Sequence, residues 1–163
     1  MGSAGRRRTS RGAAAVEFAL VMVPMLYLVF GAIGYGYMFS FRQALSQSAA
    51  EGARGAVGAY NPTDGTCAAT GPYTATTCPA QAAAATAVAN AVNTYGMTCG
   101  TKYLTCTIRV GATPTVTGCA TGHTCISVTV TYPYRAHSLL PSLPGYGFVL
   151  PQDLTFTSVV QLT

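Results

Sequence analysis

Residues 18–41 form 24 consecutive positions without a charged side chain, from Phe18 to Phe41. As an α-helix rising about 1.5 Å per residue, the run is roughly 36 Å long, enough to cross a hydrocarbon core of about 30 Å. Arg6, Arg7, Arg8 and Arg11 precede it and only Arg42 follows closely. That asymmetry predicts a single-pass anchor in the lipid bilayer, with the N-terminus cytoplasmic and residues beyond about 42 on the far side. A secretory signal has a shorter apolar core of about 7–15 residues and a small-residue cleavage site. Here the run is longer, and MFSFRQALSQSAA continues it as helix. RRRTSRG has the arginines of a twin-arginine signal but a polar sequel.

The rest of the composition narrows the class. The 163 residues allow one small folded domain plus an anchor, and only 8% are charged. The net charge of +5 is concentrated in the N-terminal arginines. Beyond Gly12, five basic residues face four acidic ones, 5 − 4 = +1, so no basic patch is left for a nucleic-acid partner. Cys67, Cys78, Cys99, Cys106, Cys119 and Cys125 all follow the apolar run. An even number of cysteines in a small Thr-rich region predicts disulfides in an oxidising compartment, which agrees with the topology from the arginines. No C-x-x-C pair is present, which argues against zinc and thioredoxin-like chemistry.

Glu17 stands at the edge of the apolar run, where an ionised carboxylate is costly unless paired. It lies five residues after Gly12, with Phe18 next. RG-AAAVEF resembles a type IV prepilin processing site: a short basic leader ending in Gly, a small or apolar stretch, then Glu and an aromatic residue. The longer text GAAAVEFALVMVPMLYLVFGAIGYGYMFSFRQALSQSAAEGARGA resembles the TadE-like pilins of tight-adherence (Flp-type, type IVc) pilus systems, at Gly12, Glu17, Pro24, Gly31, Ala49, Ala50, Gly52, Ala53 and Arg54. The resemblance implies a cut between Gly12 and Ala13, which frees an ammonium at Ala13. It implies that Glu17 meets that ammonium on a neighbouring subunit and sets axial register, with Phe18 beside it. The alternative for Glu17 is a side chain that reaches up to the headgroups in an uncleaved anchor.

Pro24 removes the hydrogen bond to the carbonyl of Leu20, so a helix kink is expected there. Gly31, Gly34 and Gly36 permit close helix contact. Tyr35, Tyr37 and Phe41 suit the outer membrane interface. Past Arg42 the pattern turns amphipathic: Leu45, Ala49, Ala53 and Val57 recur at steps of four and are expected to dock on the globular part. Glu51 and Arg54 are spaced for a weak surface pair. One helix from Ala13 to about Val57 would be near 68 Å long.

The remainder reads as α+β. PAQAAAATAVANAVNTYG is a second helix with Val88, Ala91, Val92 and Tyr95 on one side and Gly96 as its stop. LTCTIRV, ISVTVTY and LTFTSVVQL alternate with period two and carry Thr on the other face, the pattern of a half-solvated antiparallel sheet of three or four strands. TPTV, with Pro114, is a candidate edge strand. The second helix and the end of the first are expected to cover the apolar face. Six cysteines allow fifteen pairings. Sequential pairing closes the shortest loops: Cys67–Cys78, Cys99–Cys106 and Cys119–Cys125. The expected organisation is a leader at 1–12, a transmembrane and amphipathic stalk helix at 13–58, and an extracytoplasmic head at 59–163.

Catalytic chemistry finds no footing. His123, between Cys119 and Cys125, invites a metal but is expected to be a polar loop residue. His137 has no carboxylate nearby in sequence, Asp64 and Asp153 stand apart, and no G-x-S-x-G or phosphate loop occurs. No metal, cofactor or enzymatic activity is expected. SLLPSLPGYGFVLPQDL is either a contact surface or a lid over the sheet edge. The resemblance to TadE-like pilins implies a minor pilin or pseudopilin that acts in pilus assembly, initiation or adhesion. Its partners would be a prepilin peptidase, the inner-membrane assembly platform and other pilins. The rival from another class is an uncleaved, disulfide-rich binding module on a single-pass anchor.

Overall fold

The computed structural model describes residues 6–63, 67, 78–139 and 150–162, with the backbone alone for 6–11. Two compact units are present, Met1–Ser40 and Phe41–Thr163. The fold is α+β. Helix α1 runs Arg6–Val57 and α2 runs Pro79–Ala91, followed by a 3₁₀ turn at Asn93–Tyr95; the strands are β1 (Thr105–Gly111), β2 (Cys125–Tyr132) and β3 (Leu154–Gln161).

In the first unit α1 is one unbroken helix with Pro24 inside it. Side chains from Gly12 to Phe30 are exposed. Their apolar character makes this helix long and apolar enough to cross a membrane, and none of its most apolar window is buried in the protein. Such a surface is stable only against another apolar medium.

In the second unit the last turns of α1 form part of the core. Phe41, Leu45, Ser48, Ala49, Gly52, Ala53 and Ala56 are all buried. The stripe differs from the expected one at its end, because Val57 is 43% exposed and Ala56 is buried in its place. Each residue turns the helix by about 100°, so steps of four drift by about 40° each. After three such steps Val57 lies about 120° from Leu45, whereas Ala56 returns to within about 20°. The buried Ser48 hydroxyl donates to the carbonyl of Leu45 at 2.8 Å, so its burial leaves no orphan donor. On the outer side of the helix, Arg54 and Glu51 form an exposed ion pair at 3.1 Å.

Phe41 corrects the interfacial assignment. It is fully buried rather than placed in a headgroup belt. Its ring meets those of Tyr95 and Tyr132 edge-on at 4.9 and 5.0 Å and lies 6.0 Å from Tyr134. Edge-to-face contacts of this kind suit the ring quadrupole and add to the gain from area burial.

The sheet is an antiparallel meander of order β1-β2-β3. Its register stacks Val110, Ile126 and Val160, then Ile108, Val128 and Ser158, then Cys106, Val130 and Phe156 on one face. Thr105, Thr131 and Thr155, and Thr107, Thr129 and Thr157, occupy the other. There Thr129 and Thr157 hydroxyls bond at 2.8 Å and those of Thr131 and Thr155 at 3.2 Å, the cross-strand pairing of a wetted face. Gln81 of α2 donates to the carbonyl of Ile108 at the β1 edge.

Helix α2 ends earlier than its sequence indicates, at Ala91 with Val92 as C-cap; Gly96, left-handed at φ 62°, closes the 3₁₀ turn that follows. The candidate strand at Thr113–Val116 is instead a turn, in which Val116 N–H reaches the carbonyl of Ala112. Pro114 has no donor for a ladder, and the turn buries Val116, which an exposed edge strand would not. Most of the Pro-rich segment SLLPSLPGYGFVLPQDL, at 140–149, lies outside the described residues, as does Asp64. Its flanks are tied together: Arg135 donates from Nε and Nη2 to the carbonyl of Leu150 at 2.9 and 2.6 Å.

The contact of α1 with α2 and the sheet is set by Gly52. A Cβ there would stand 2.6 Å from Val88 Cγ2, 3.2 Å from Val128 Cγ1 and 3.3 Å from the carbonyl of Ala84. Val88 and Val128 are fully buried and stiff at χ1, so neither has room to yield. Replacing Gly52 by Ala should gain about 1 kcal/mol of helix propensity yet cost about 1–3 kcal/mol by overpacking. Gly52→Ala is therefore expected to lower the melting temperature. Gly58→Ala, whose methyl meets nothing within 4 Å, should leave it nearly unchanged. A thermal melt of both variants by circular dichroism checks this.

Candidate functional site

The residues singled out around the start of the apolar run share one environment. Gly12, Ala13, Glu17 and Phe18 all lie on α1 and all are exposed. A side chain added at Gly12 would meet nothing within 4 Å. Helix geometry puts Ala13 and Glu17 four residues apart, one turn along the same side. Among the described residues Glu17 has neither an ion pair nor a hydrogen bond within the chain. A lone carboxylate bordering an apolar surface is a group whose partner must come from outside the chain or from water. Pro24 follows about two turns after Glu17 inside the helix. Gly31 and Gly34 are half-buried.

The cysteines form three bonds: Cys67–Cys78, Cys99–Cys106 and Cys119–Cys125. No free cysteine remains among the described residues. Each bond closes a short loop, the first just before α2, the second around the turn into β1, the third across the β1–β2 connection. Disulfide formation consumes the thiolates that a metal would need.

The two histidines make different contacts. His123 Nδ1 and Gln161 Nε2 are 2.8 Å apart, which ties the loop inside the third disulfide to β3. No group of three His, Cys, Asp or Glu side chains that could hold a metal occurs among the described residues. His137 stacks on Tyr103 with ring centroids 3.4 Å apart and planes 7° from parallel. Its carbonyl accepts the Tyr132 hydroxyl at 2.8 Å. Burial, and secondarily the neighbouring Tyr103, raises the Tyr132 phenol above its ordinary value and keeps it a neutral donor. The Tyr103–His137 pair joins a β-turn to a loop 34 residues later, and no spacing in the sequence signals it. Asp153 is exposed.

These features are a helix long and apolar enough to cross a membrane, with an acid near its start that has no partner among the described residues, followed along the chain by a disulfide-bonded α+β unit. The family model described as TadE-like protein matches residues 12–54, from Gly12 through the apolar run to Arg54. The match is confined to this N-terminal segment, which is similar to TadE-like proteins. No curated protein and no solved structure matches the chain.

The staples yield a prediction of their own. Removing a native disulfide from a small extracellular domain typically costs about 2–5 kcal/mol. The Cys99→Ser, Cys106→Ser double variant should lose stability in that range, read from the urea midpoint of the head's unfolding. Non-reducing peptide mapping of wild type should return the three bonds and no free thiol.

Proposed function

We propose that the protein is a minor pilin or pseudopilin of a tight-adherence-type pilus, cut after Gly12 by a prepilin peptidase. The observation that carries this reading is the family match that begins at Gly12 and takes in Glu17 and the whole apolar run. In this reading residues 1–12 are the leader, 13–58 the stalk helix and 59–163 the head. The basic leader stays in the cytoplasm, the helix spans the inner membrane and the disulfide-bonded head is extracytoplasmic. The assembly platform and other pilins are its partners, and assembly, initiation or surface adhesion of the pilus is its role. A head of about a hundred residues, larger than the small major pilins of such systems, favours the minor role.

The chemistry assigned to Glu17 follows from its isolation. Cleavage gives Ala13 an ammonium at the membrane surface. Within one subunit Ala13 and Glu17 belong to the same helix turn, and a neighbour's Glu17 can accept the charge when subunits stagger axially. Two desolvated charges in contact hold one register, because sliding would leave both unpaired.

Processing tests the reading directly. Since Gly12 is exposed and a larger side chain there meets nothing, Gly12→Val leaves the fold alone and alters only what the peptidase reads. Co-expression with a prepilin peptidase should remove residues 1–12 from wild type and leave the variant intact, by N-terminal sequencing. An intact wild-type N-terminus under those conditions would favour the uncleaved anchor.

Assembly tests Glu17 separately. Glu17→Ala should insert and be cut as wild type is, because losing a charge eases insertion. It should fail to cross-link to other pilins, since an unpaired buried ammonium costs several kcal/mol, on the order of 3–5. Glu17→Gln should be intermediate at best, keeping an acceptor without the charge. Wild-type recovery of Glu17→Ala in sheared filaments would reduce the acid to a side chain that reaches the headgroups.

A further inference from the structure

The turn between α2 and β1 holds two consecutive non-glycine residues in the left-handed region, Lys102 at φ 47° and Tyr103 at φ 67°. Such conformations are unfavourable for side-chain-bearing residues and persist where the surroundings enforce them. Here the enforcement is visible. Cys99–Cys106 closes the turn, Gly100 N–H donates to the carbonyl of Leu104, Leu104 N–H donates to that of Thr101, and the Thr98 and Thr101 hydroxyls bond at 2.9 Å. The result presents Tyr103 at 60% exposure on the rim of a surface depression that Tyr95, Lys102, Tyr132, His137 and Ser138 also line.

Three properties define what the depression can hold. Tyr103 offers an exposed π-face, fixed in orientation by the parallel His137 ring. Among the described residues the depression's cation, Lys102, makes no ion pair and no carboxylate lines the site. The ammonium stands over Gly96, 2.9 Å from where a Cβ would be, so the left-handed glycine also leaves it room. The hydroxyl of the exposed Tyr103 adds a polar group beside its ring. A cationic ligand is repelled by Lys102. A small inorganic anion would leave the rings unused.

We infer that this depression binds a carboxylated pyranose, a uronic acid unit of an acidic polysaccharide, with Tyr103 as stacking platform and Lys102 as counter-ion to the carboxylate. A pyranose has one face of C–H groups that lies against an aromatic ring, and equatorial hydroxyls that reach polar neighbours. The site lies wholly in the Phe41–Thr163 unit, so it operates alike in a cut subunit and in an uncleaved anchor. Its success or failure is thereby separate from that of the pilin reading.

Equilibrium dialysis of the full chain in detergent micelles against labelled trigalacturonate, neutral galactotriose and hexaglutamate tests it. Wild type should hold trigalacturonate at least about tenfold more tightly than galactotriose, the scale of one charge-assisted contact. Lys102→Asn should abolish that preference; Asn tolerates the left-handed region, so the turn is kept. Tyr103→Ala should weaken trigalacturonate by about tenfold, and Tyr103→Phe should stay within about twofold, as a π-face platform requires. Should Tyr103→Ala misfold by near-ultraviolet circular dichroism, Lys102→Asn decides. The inference is overturned by no retention of trigalacturonate at millimolar concentration, by Lys102→Asn with undiminished preference, or by hexaglutamate competing equally, which would mark a general anion or acidic-peptide surface.

Discussion

Gly52 stands against Val88 of α2 and Val128 of β2 with no space for a methyl group, and the core of the Phe41–Thr163 unit is built around that approach. The unit is poor in large apolar side chains. Alanines supply much of its buried surface: Ala49, Ala53 and Ala56 from α1, and Ala80, Ala84 and Ala85 from α2. Small residues give little transfer energy each, so they stabilise only if backbones come close enough for dense dispersion contact. Glycine at 52 permits that closeness. The larger groups, Phe41 and Leu45 of α1 and Tyr134 after β2, complete the buried core.

The same helix thus serves two media. From Gly12 to Phe30 it exposes apolar side chains on every side, a pattern that fits lipid and not water. From Phe41 onward it is amphipathic, with one buried stripe and an exposed ion pair between Glu51 and Arg54. The TadE-like match spans both stretches, from Gly12 to Arg54, and ends within the AAEGARGA segment whose glycine sets the packing. The residues that make the segment TadE-like therefore include both the proposed processing and register groups and the groups that attach the helix to the rest of its own unit.

Much of this was legible in local pattern. The three strands fall where period-two alternation placed them, since each has one apolar face and one Thr-rich face. Gly96 closes the 3₁₀ turn after α2, because glycine enters the left-handed cap without cost. Phe41 was not legible. An aromatic residue at the end of an apolar run fits a headgroup interface as well as it fits a core, and only Tyr95, Tyr132 and Tyr134, up to 93 residues later, decide between them. The stepping from Leu45 to Val57 misled for a geometric reason: four residues overshoot a helical turn, and the error accumulates. The Thr113–Val116 turn was hidden because Val116 finds its burial in the tertiary fold rather than by alternation.

Charge, periodicity and turn chemistry within short windows suffice for the long apolar helix, the acid near its start, the α+β class and the three strands. Tertiary packing alone brings α1 into the core through Gly52 and Phe41, and Lys102, Tyr103 and His137 around one depression. Those contacts join residues far apart in the chain, and which faces meet is fixed by the volume left between packed elements, a quantity that no local window contains.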